Sequence, residues 1–223
     1  MNKLKQSRLA AQADHAAHVL ADLERLVAAV KGREEQESKF SKAIAVLKTL
    51  SRKEDIPLAI VGGLAAIHYG YERFTKDIGV VVPCGNLDVI TRVAPRYGIK
   101  VIWRDPKGWH KLHFEGVPID VVPEGGRARS DSPTNIPGPK QLGVEECVHY
   151  AELAGWVETK LSSYRVQDRA DVVQVMKATA RGKLTKVRGH IGRVHPVYLQ
   201  RFDELLAAAR EEEEQERERG GSR

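Results

Sequence analysis

Asp77 stands directly before the apolar run IGVVV, and Asp120 stands inside VPIDVV. A carboxylate set among strand-forming apolar residues is costly unless it is paired or holds a metal ion. Two such acids on adjacent strands can share a divalent cation, which neutralises a triphosphate and activates an attacking hydroxyl. The plainer alternative for each is a strand-edge acid that caps a helix or pairs with an arginine. Upstream, Gly62 and Gly63 separate a strand-like from a helix-like segment. There, backbone N–H groups can approach a phosphate, and the start of the following helix attracts an anion. A tight strand-to-helix turn would use the same two residues. Arg73 and Lys76 in ERFTKD either neutralise Asp77, hold phosphates or are ordinary surface charges. Thr75 is placed to hydrogen-bond locally at the strand start.

A second cluster lies in GWVETKLSSYRVQDRADVVQVMK. Lys160, Ser163 and Tyr164 share one helix face by the three-and-four rule, and so do Asp168 and Asp171. Lys160 directed at a sheet could bind a triphosphate, with Asp168 or Asp171 orienting it. Asp168 also falls near a helix start, where an acid is favoured for its own sake. Other candidates are weaker. His110 and His113 are three apart on a strand and so on opposite faces, a poor metal pair. His68 reads as a packed or exposed side chain. No Ser-His-Asp arrangement or Walker-type loop stands out.

These residues need elements to position them. Leu9, Ala16, Leu20, Leu23, Val27 and Val30 recur at helical spacing, predicting a helix over 3–31. A second is predicted over 37–50, with Phe40, Ile44, Leu47 and Leu50 on one face. PLAIVGG reads as a buried strand, LAAIHYG as a short helix closed by Gly70, and IGVVV as a strand stopped by Pro83. NLDVITRVAPRYG predicts a helix with Asn86 near its N-cap. IKVIW, WHKLHFEG and VPIDVV predict three strands, the last two joined by a turn at Gly116. Residues 123–143 form a Gly-, Pro- and Ser-rich loop long enough to be functional or mobile. Helices are expected from Val148 onward, at 150–163, 167–180 and 197–218. The expected organisation is α+β: a helical segment over 1–55, a mixed-sheet core over 56–145 and a helical region over 146–223.

The 223 residues carry a net charge of +6, with 42% hydrophobic and 30% charged residues. Arg210–Arg223 holds six Glu and four Arg, a net of −2, so the remainder carries +8. A basic body favours polyanionic partners such as RNA or a nucleoside triphosphate. No apolar run approaches the ~20 residues of a membrane span, and no secretion signal is read at the start. Cys84 and Cys147 have no metal-ligand spacing, which suits a reducing cytoplasm.

VGGLAAIHYGYERFTKDIGVVV resembles the nucleotidyltransferase motif of the polymerase-beta-like superfamily, and within it the AbiEii/AbiGii-type toxins of abortive-infection toxin–antitoxin systems. The family pattern is a Gly-Gly turn, a short helix, Arg-Phe/Tyr-Thr-x-Asp, then Asp-x-Asp entering a strand. Gly62, Gly63, Arg73, Thr75 and Asp77 match, and Asp120 falls where the third acid is expected. ETKLSSYRVQDRADVVQV resembles the later Lys-Leu … Arg-x-x-Asp-x-x-Asp helices, placing Lys160, Arg165, Asp168 and Asp171. The resemblance covers about 56–180. It implies a mixed-sheet nucleotidyltransferase core with helical companions. It also implies Mg²⁺- or Mn²⁺-dependent transfer of a nucleoside monophosphate from an NTP to a hydroxyl of a tRNA 3′ end or a protein, and a cognate antitoxin. In that picture Asp77 and the residue two further on bind metal, Asp120 completes the site, Gly62 and Gly63 hold phosphates, and Lys160 binds the triphosphate.

One position departs from the pattern. Gly79 stands where the second acid of Asp-x-Asp belongs. Alternate strand residues point the same way, so residue 79 would face the metal with Asp77 and supplies no ligand. Three explanations follow: a degenerate relative that still binds nucleotide or RNA, a site that uses one metal or borrows Glu72, or a change that detoxifies a lethal toxin. A transferase acting on a small-molecule hydroxyl is a further reading.

Overall fold

The structure is a computed structural model that describes residues 39–105, 108–144 and 147–220. The chain divides into two units, residues 1–42 and 43–223. The helix expected over 3–31 lies outside the described residues.

In the second unit, residues 43–54 continue as helix α1, with Ala43, Leu47 and Leu50 buried and Ile44 half-buried. The chain then builds a six-stranded mixed sheet. Its strands are β1 (Leu58–Val61), β2 (Ile78–Val82), β3 (Lys100–Arg104), β4 (His110–Phe114), β5 (Val117–Pro123) and β6 (Val148–Tyr150), in the order β3-β4-β5-β2-β1-β6. β2 runs parallel to β5 and antiparallel to β1, while β3, β4 and β5 pair antiparallel. The central strands are short Val/Ile-rich runs, as expected of strands covered on both faces. Val81 and Val122 join one core, while Ile78, Val80, Ile119 and Val121 are buried on the other face. Glu115 and Gly116, both at positive φ, make the two-residue β4–β5 turn that the sequence suggested.

Two helices are short. α2 (Gly62–His68) follows β1 without a linker, and α3 (Leu87–Val93) gives way to a 3-10 turn at Ala94–Tyr97. The helix expected across NLDVITRVAPRYG therefore breaks near Pro95. Asn86 takes the N-cap position but makes no side-chain capping bond.

After β6 come α4 (Leu153–Ser163), α5 (Val166–Ala178), α6 (Arg181–Val194) and α7 (Pro196–Gly220). Two corrections to the sequence reading stand here. Residues 148–150 are a strand, not helix, because they pair parallel with β1. α6 was not anticipated, because Gly182, Gly189 and Gly192 interrupt its pattern. Trp156 of α4 and Tyr198 and Phe202 of α7 are fully buried and share one core with Val81 and Val122. The 123–143 loop belongs to that core as well: Ile136, Leu142 and the adjacent Val144 are buried in it. Among the described residues no helix is long and apolar enough to cross a membrane.

Candidate functional site

Parallel pairing sets Gly79 of β2 beside Asp120 of β5. Side chains alternate along each strand, so Asp77, Gly79 and Val81 face the same side as Asp120 and Val122. All five line a cleft of about 430 Å³ between the sheet and the helices that follow it. Gly62, Gly63, Arg73 and Thr75 line it from the β1–α2 turn and the segment after α2, and Lys160, Arg165 and Asp168 line it from α4 and α5. Most site residues read from the sequence therefore come to one place; Lys76 and Tyr164 do not line it, and Asp171 lies behind the wall, fully buried. Lys76 and Glu72 are exposed and do not line the cleft, so Glu72 does not replace a missing acid.

The glycine turn is shaped by its neighbours. Gly62 adopts φ +70°, a conformation that costs other residues energy. A Cβ on Gly63 would lie 2.7 Å from Thr75 Oγ1 and 3.3 Å from Arg73 Cζ, so the absence of a side chain lets both reach the turn. Trp156 Nε1 donates to the Gly62 carbonyl at 3.0 Å and ties the turn to α4. Because α2 spans only seven residues, its dipole adds little, and attraction for an anion falls mainly to the side-chain cations.

Those cations are held from behind. Lys160 Nζ donates to Asp168 Oδ1 at 2.9 Å and to Asp171 Oδ2 at 2.6 Å. Arg73 Nη1 contacts both Asp171 oxygens at 2.5 and 2.6 Å, and Gln167 donates to Asp171 Oδ1 at 2.9 Å. Arg165 Nε donates to Asp168 Oδ2 at 2.8 Å. The Arg165 backbone N–H reaches the same oxygen at 3.2 Å, so Asp168 also serves the start of α5. Burial alone would push the Asp168 carboxyl up. The Arg165 guanidinium, with Lys160 and Ser163, outweighs it and holds the group well below the usual carboxylate range. Three cations of this wall are thus fixed in geometry by two buried carboxylates, with Asp77 of the same cleft close enough to act on Arg165.

Sequence reasoning missed Lys111, whose Nζ lies 3.3 Å from Asp120 Oδ1. The two residues face each other across β4 and β5. Counting back from the two-residue turn at Gly116 would have found the pair. It also missed the apolar wall of Trp109, Ala128, Ile136 and Pro137, most of it from the loop. Ser162 borders the cleft, and its hydroxyl is buried without a hydrogen-bond partner among the described residues.

The donor set does not fit a pair of divalent ions. Among the described residues, Asp77 and Asp120 are the only carboxylates that the sheet side presents to the cleft, and Asp120 is engaged by Lys111. Among the described residues no group of three His, Cys, Asp or Glu converges that could hold a metal ion. Position 79 itself has room. A Cβ there would meet Val61 Cγ2 at 3.4 Å, an ordinary contact.

No protein-family model matches the chain, and no curated protein matches it. Solved structures that resemble it are nucleotidyltransferases. The antibiotic-resistance factor ANT(2'')-Ia is 14% identical at a TM-score of 0.43, over 82% of this chain and 99% of its own. A tRNA nucleotidyltransferase solved with a primer tRNA and an incoming ATP analogue is 15% identical at 0.36, over 74% of this chain and 60% of its own. The Thermotoga maritima CCA-adding enzyme, complexed with tRNA, is 17% identical at 0.35, over 75% of this chain and 47% of its own. Likenesses this distant carry no functional argument, which rests on the cleft.

Proposed function

We propose that the cleft binds a nucleoside triphosphate and that the chain is a toxin-type nucleotidyltransferase-like protein, its transfer of a nucleoside monophosphate weakened or lost through Gly79. The observation that supports this most is the wall of Arg73, Lys160 and Arg165, anchored by Asp168 and Asp171, facing the Gly62–Gly63 turn. Fixed cations beside the backbone of a glycine turn at a helix start suit a phosphate chain. Thr75 offers a polar contact, and Trp109, Ile136 and Pro137 offer an apolar surface for the rest of a nucleotide. Asp77 and Asp120 are the carboxylates toward which a divalent ion, Mg²⁺ or Mn²⁺, would come. With Gly79 between them and Lys111 on Asp120, the set is short, and no transfer step is routed through it. The acceptor in this reading is a hydroxyl of a tRNA 3′ end or a protein, with an antitoxin as the controlling partner.

The second reading, a nucleotide- or RNA-binding protein without transfer, is favoured by the same two residues, Gly79 and Lys111. One assay separates them. The protein and Gly79→Asp are each incubated with labelled ATP, CTP, GTP or UTP, Mg²⁺ and total tRNA. Transfer predicts more label in tRNA or protein for Gly79→Asp than for the parent, and its loss in Asp77→Ala. Equal, Asp77-insensitive labelling refutes transfer. Triphosphate binding that is absent, or unmoved by Arg73→Ala, refutes the nucleotide site as well.

A further inference from the structure

α6 is the element that the sequence pattern concealed, and its surface is unlike the rest of the molecule. It carries five cations and no acid in RGKLTKVRGHIGRV. Arg188 is fully engaged, with two hydrogen bonds of 2.7 Å to Asp203. Arg181, Lys183, Lys186 and Arg193 are exposed and form no ion pair among the described residues. Val187 and Ile191 mark the buried side. By helical spacing Gly182, Lys186, Gly189 and Arg193 run along the opposite, outward ridge. Gly192, exposed too, lies beside that ridge.

The glycines have no packing reason to be there. A Cβ on Gly182 would meet nothing within 4 Å. On Gly189 the nearest atom is Arg193 Nη1 at 4.0 Å, and on Gly192 it is Leu199 Cδ2 at 3.7 Å. None of the three has positive φ. Glycine in a helix interior is destabilising relative to alanine, so this helix gives up stability three times at exposed positions that alternate with cations. Gly182 and Gly189, which alternate with Lys186 and Arg193 on that ridge, let a chain of phosphates lie close to the helix backbone and within reach of both cations.

We infer that the outward face of α6 is a docking surface for the phosphate backbone of RNA. Charge complementarity selects a polyanion. None of the exposed large apolar side chains among the described residues lies on α6, so the face lacks the hydrophobic edge that a membrane-lying helix needs. The choice of RNA rests on the reading of the cleft as one that serves an RNA acceptor. The face spans about 18 Å, at 1.5 Å per residue over Arg181–Arg193, enough to follow several phosphates.

The test is equilibrium binding of fluorescent tRNA and of a matched single-stranded DNA over a salt series. It uses the full chain, the variant Arg181→Ala/Lys183→Ala/Lys186→Ala/Arg193→Ala, and the variant Gly182→Ala/Gly189→Ala/Gly192→Ala. The charge variant should bind tRNA at least tenfold more weakly and lose roughly three units from the slope of log K against log salt. The glycine variant should melt several degrees higher yet bind tRNA more weakly, a combination that a structural role does not produce. Unchanged tRNA affinity and slope in the charge variant overturn the inference. So does wild-type protein that binds no tRNA or prefers the DNA. A fall in oligomer mass with tRNA affinity unaltered also overturns it, giving the face to a second copy of the chain. Triphosphate binding should be equal in all three proteins; its absence counts against the cleft reading and not against α6.

Discussion

Asp171 and Asp120 show how differently two acids of one site are held. Asp171 is fully buried and binds Lys160, Arg73 and Gln167. Asp120 is partly open, and its Lys111 partner is more than half exposed. Removing one member of a buried ion cluster leaves charges unpaired, so Asp171→Ala should cost about 3–5 kcal/mol. Removing Asp120 breaks a solvent-screened pair worth at most about 1 kcal/mol. Urea unfolding of both variants checks the contrast. Equal losses would mean that the cluster does not anchor the wall. Most of the site was legible in the sequence because its parts lie in short motifs with fixed spacing: Gly62–Gly63, Arg73 to Asp77, and Lys160 to Asp171. The Lys111–Asp120 pair depends on strand register and was read only from the fold. So were the paired states of Lys160 and Arg73, since spacing shows which residues share a face but not what faces them.

At the scale of elements, the strands were legible from their Val/Ile runs and the β4–β5 turn from Gly116. α6 was hidden by its glycines, and β6 by its dependence on β1 for pairing. The 123–143 loop was read as functional or mobile because composition cannot reveal long-range packing. Its end is in fact locked. Leu142 is fully buried in the core, and a Cβ on Gly155 of α4 would lie 2.7 Å from Leu142 Cδ2. Ser132 donates to the Ser162 carbonyl at 3.0 Å, a second tie to α4. Leu142→Ala should therefore destabilise by about 2–5 kcal/mol, a core value rather than a loop value. It should also weaken triphosphate binding, because Ile136 and Pro137 hold the apolar wall from the same loop. Thermal melting and a binding isotherm test this together, and a loss below about 1 kcal/mol would show the loop to be independent of the core.

At the scale of the whole molecule, Asp168 and Tyr69 carry the largest shifts that tie stability to pH. Asp168 is held below the ordinary carboxylate range, so its ion pairs contribute fully above the unfolded value near ~4. That contribution disappears as pH falls through the lower folded value. Tyr69 is pushed up to about 12 by burial and by Glu152, and its hydroxyl donates to the Ala151 carbonyl at 2.6 Å. Its contribution is complete below the unfolded value near ~10 and is lost as pH rises through about 12. Urea midpoints should thus hold across the neutral range, fall below about pH 4 and fall again above about pH 10. Tyr69→Phe should make the alkaline fall shallower, leaving the part carried by Tyr150 and Tyr164, whose hydroxyls burial also pushes up; an unchanged alkaline slope in that variant would assign the fall elsewhere.

Gly79 carries a consequence for heredity. Every glycine codon becomes an aspartate or glutamate codon through one G-to-A transition at its second base, whatever the third base is. The sheet already has space for the new Cβ beside Val61. If the carboxylate at that position is what separates a binder from a transferase, a single mutational event divides the two states. A growing population would sample it continually, and a host carrying the gene would depend on whatever restrains the revertant.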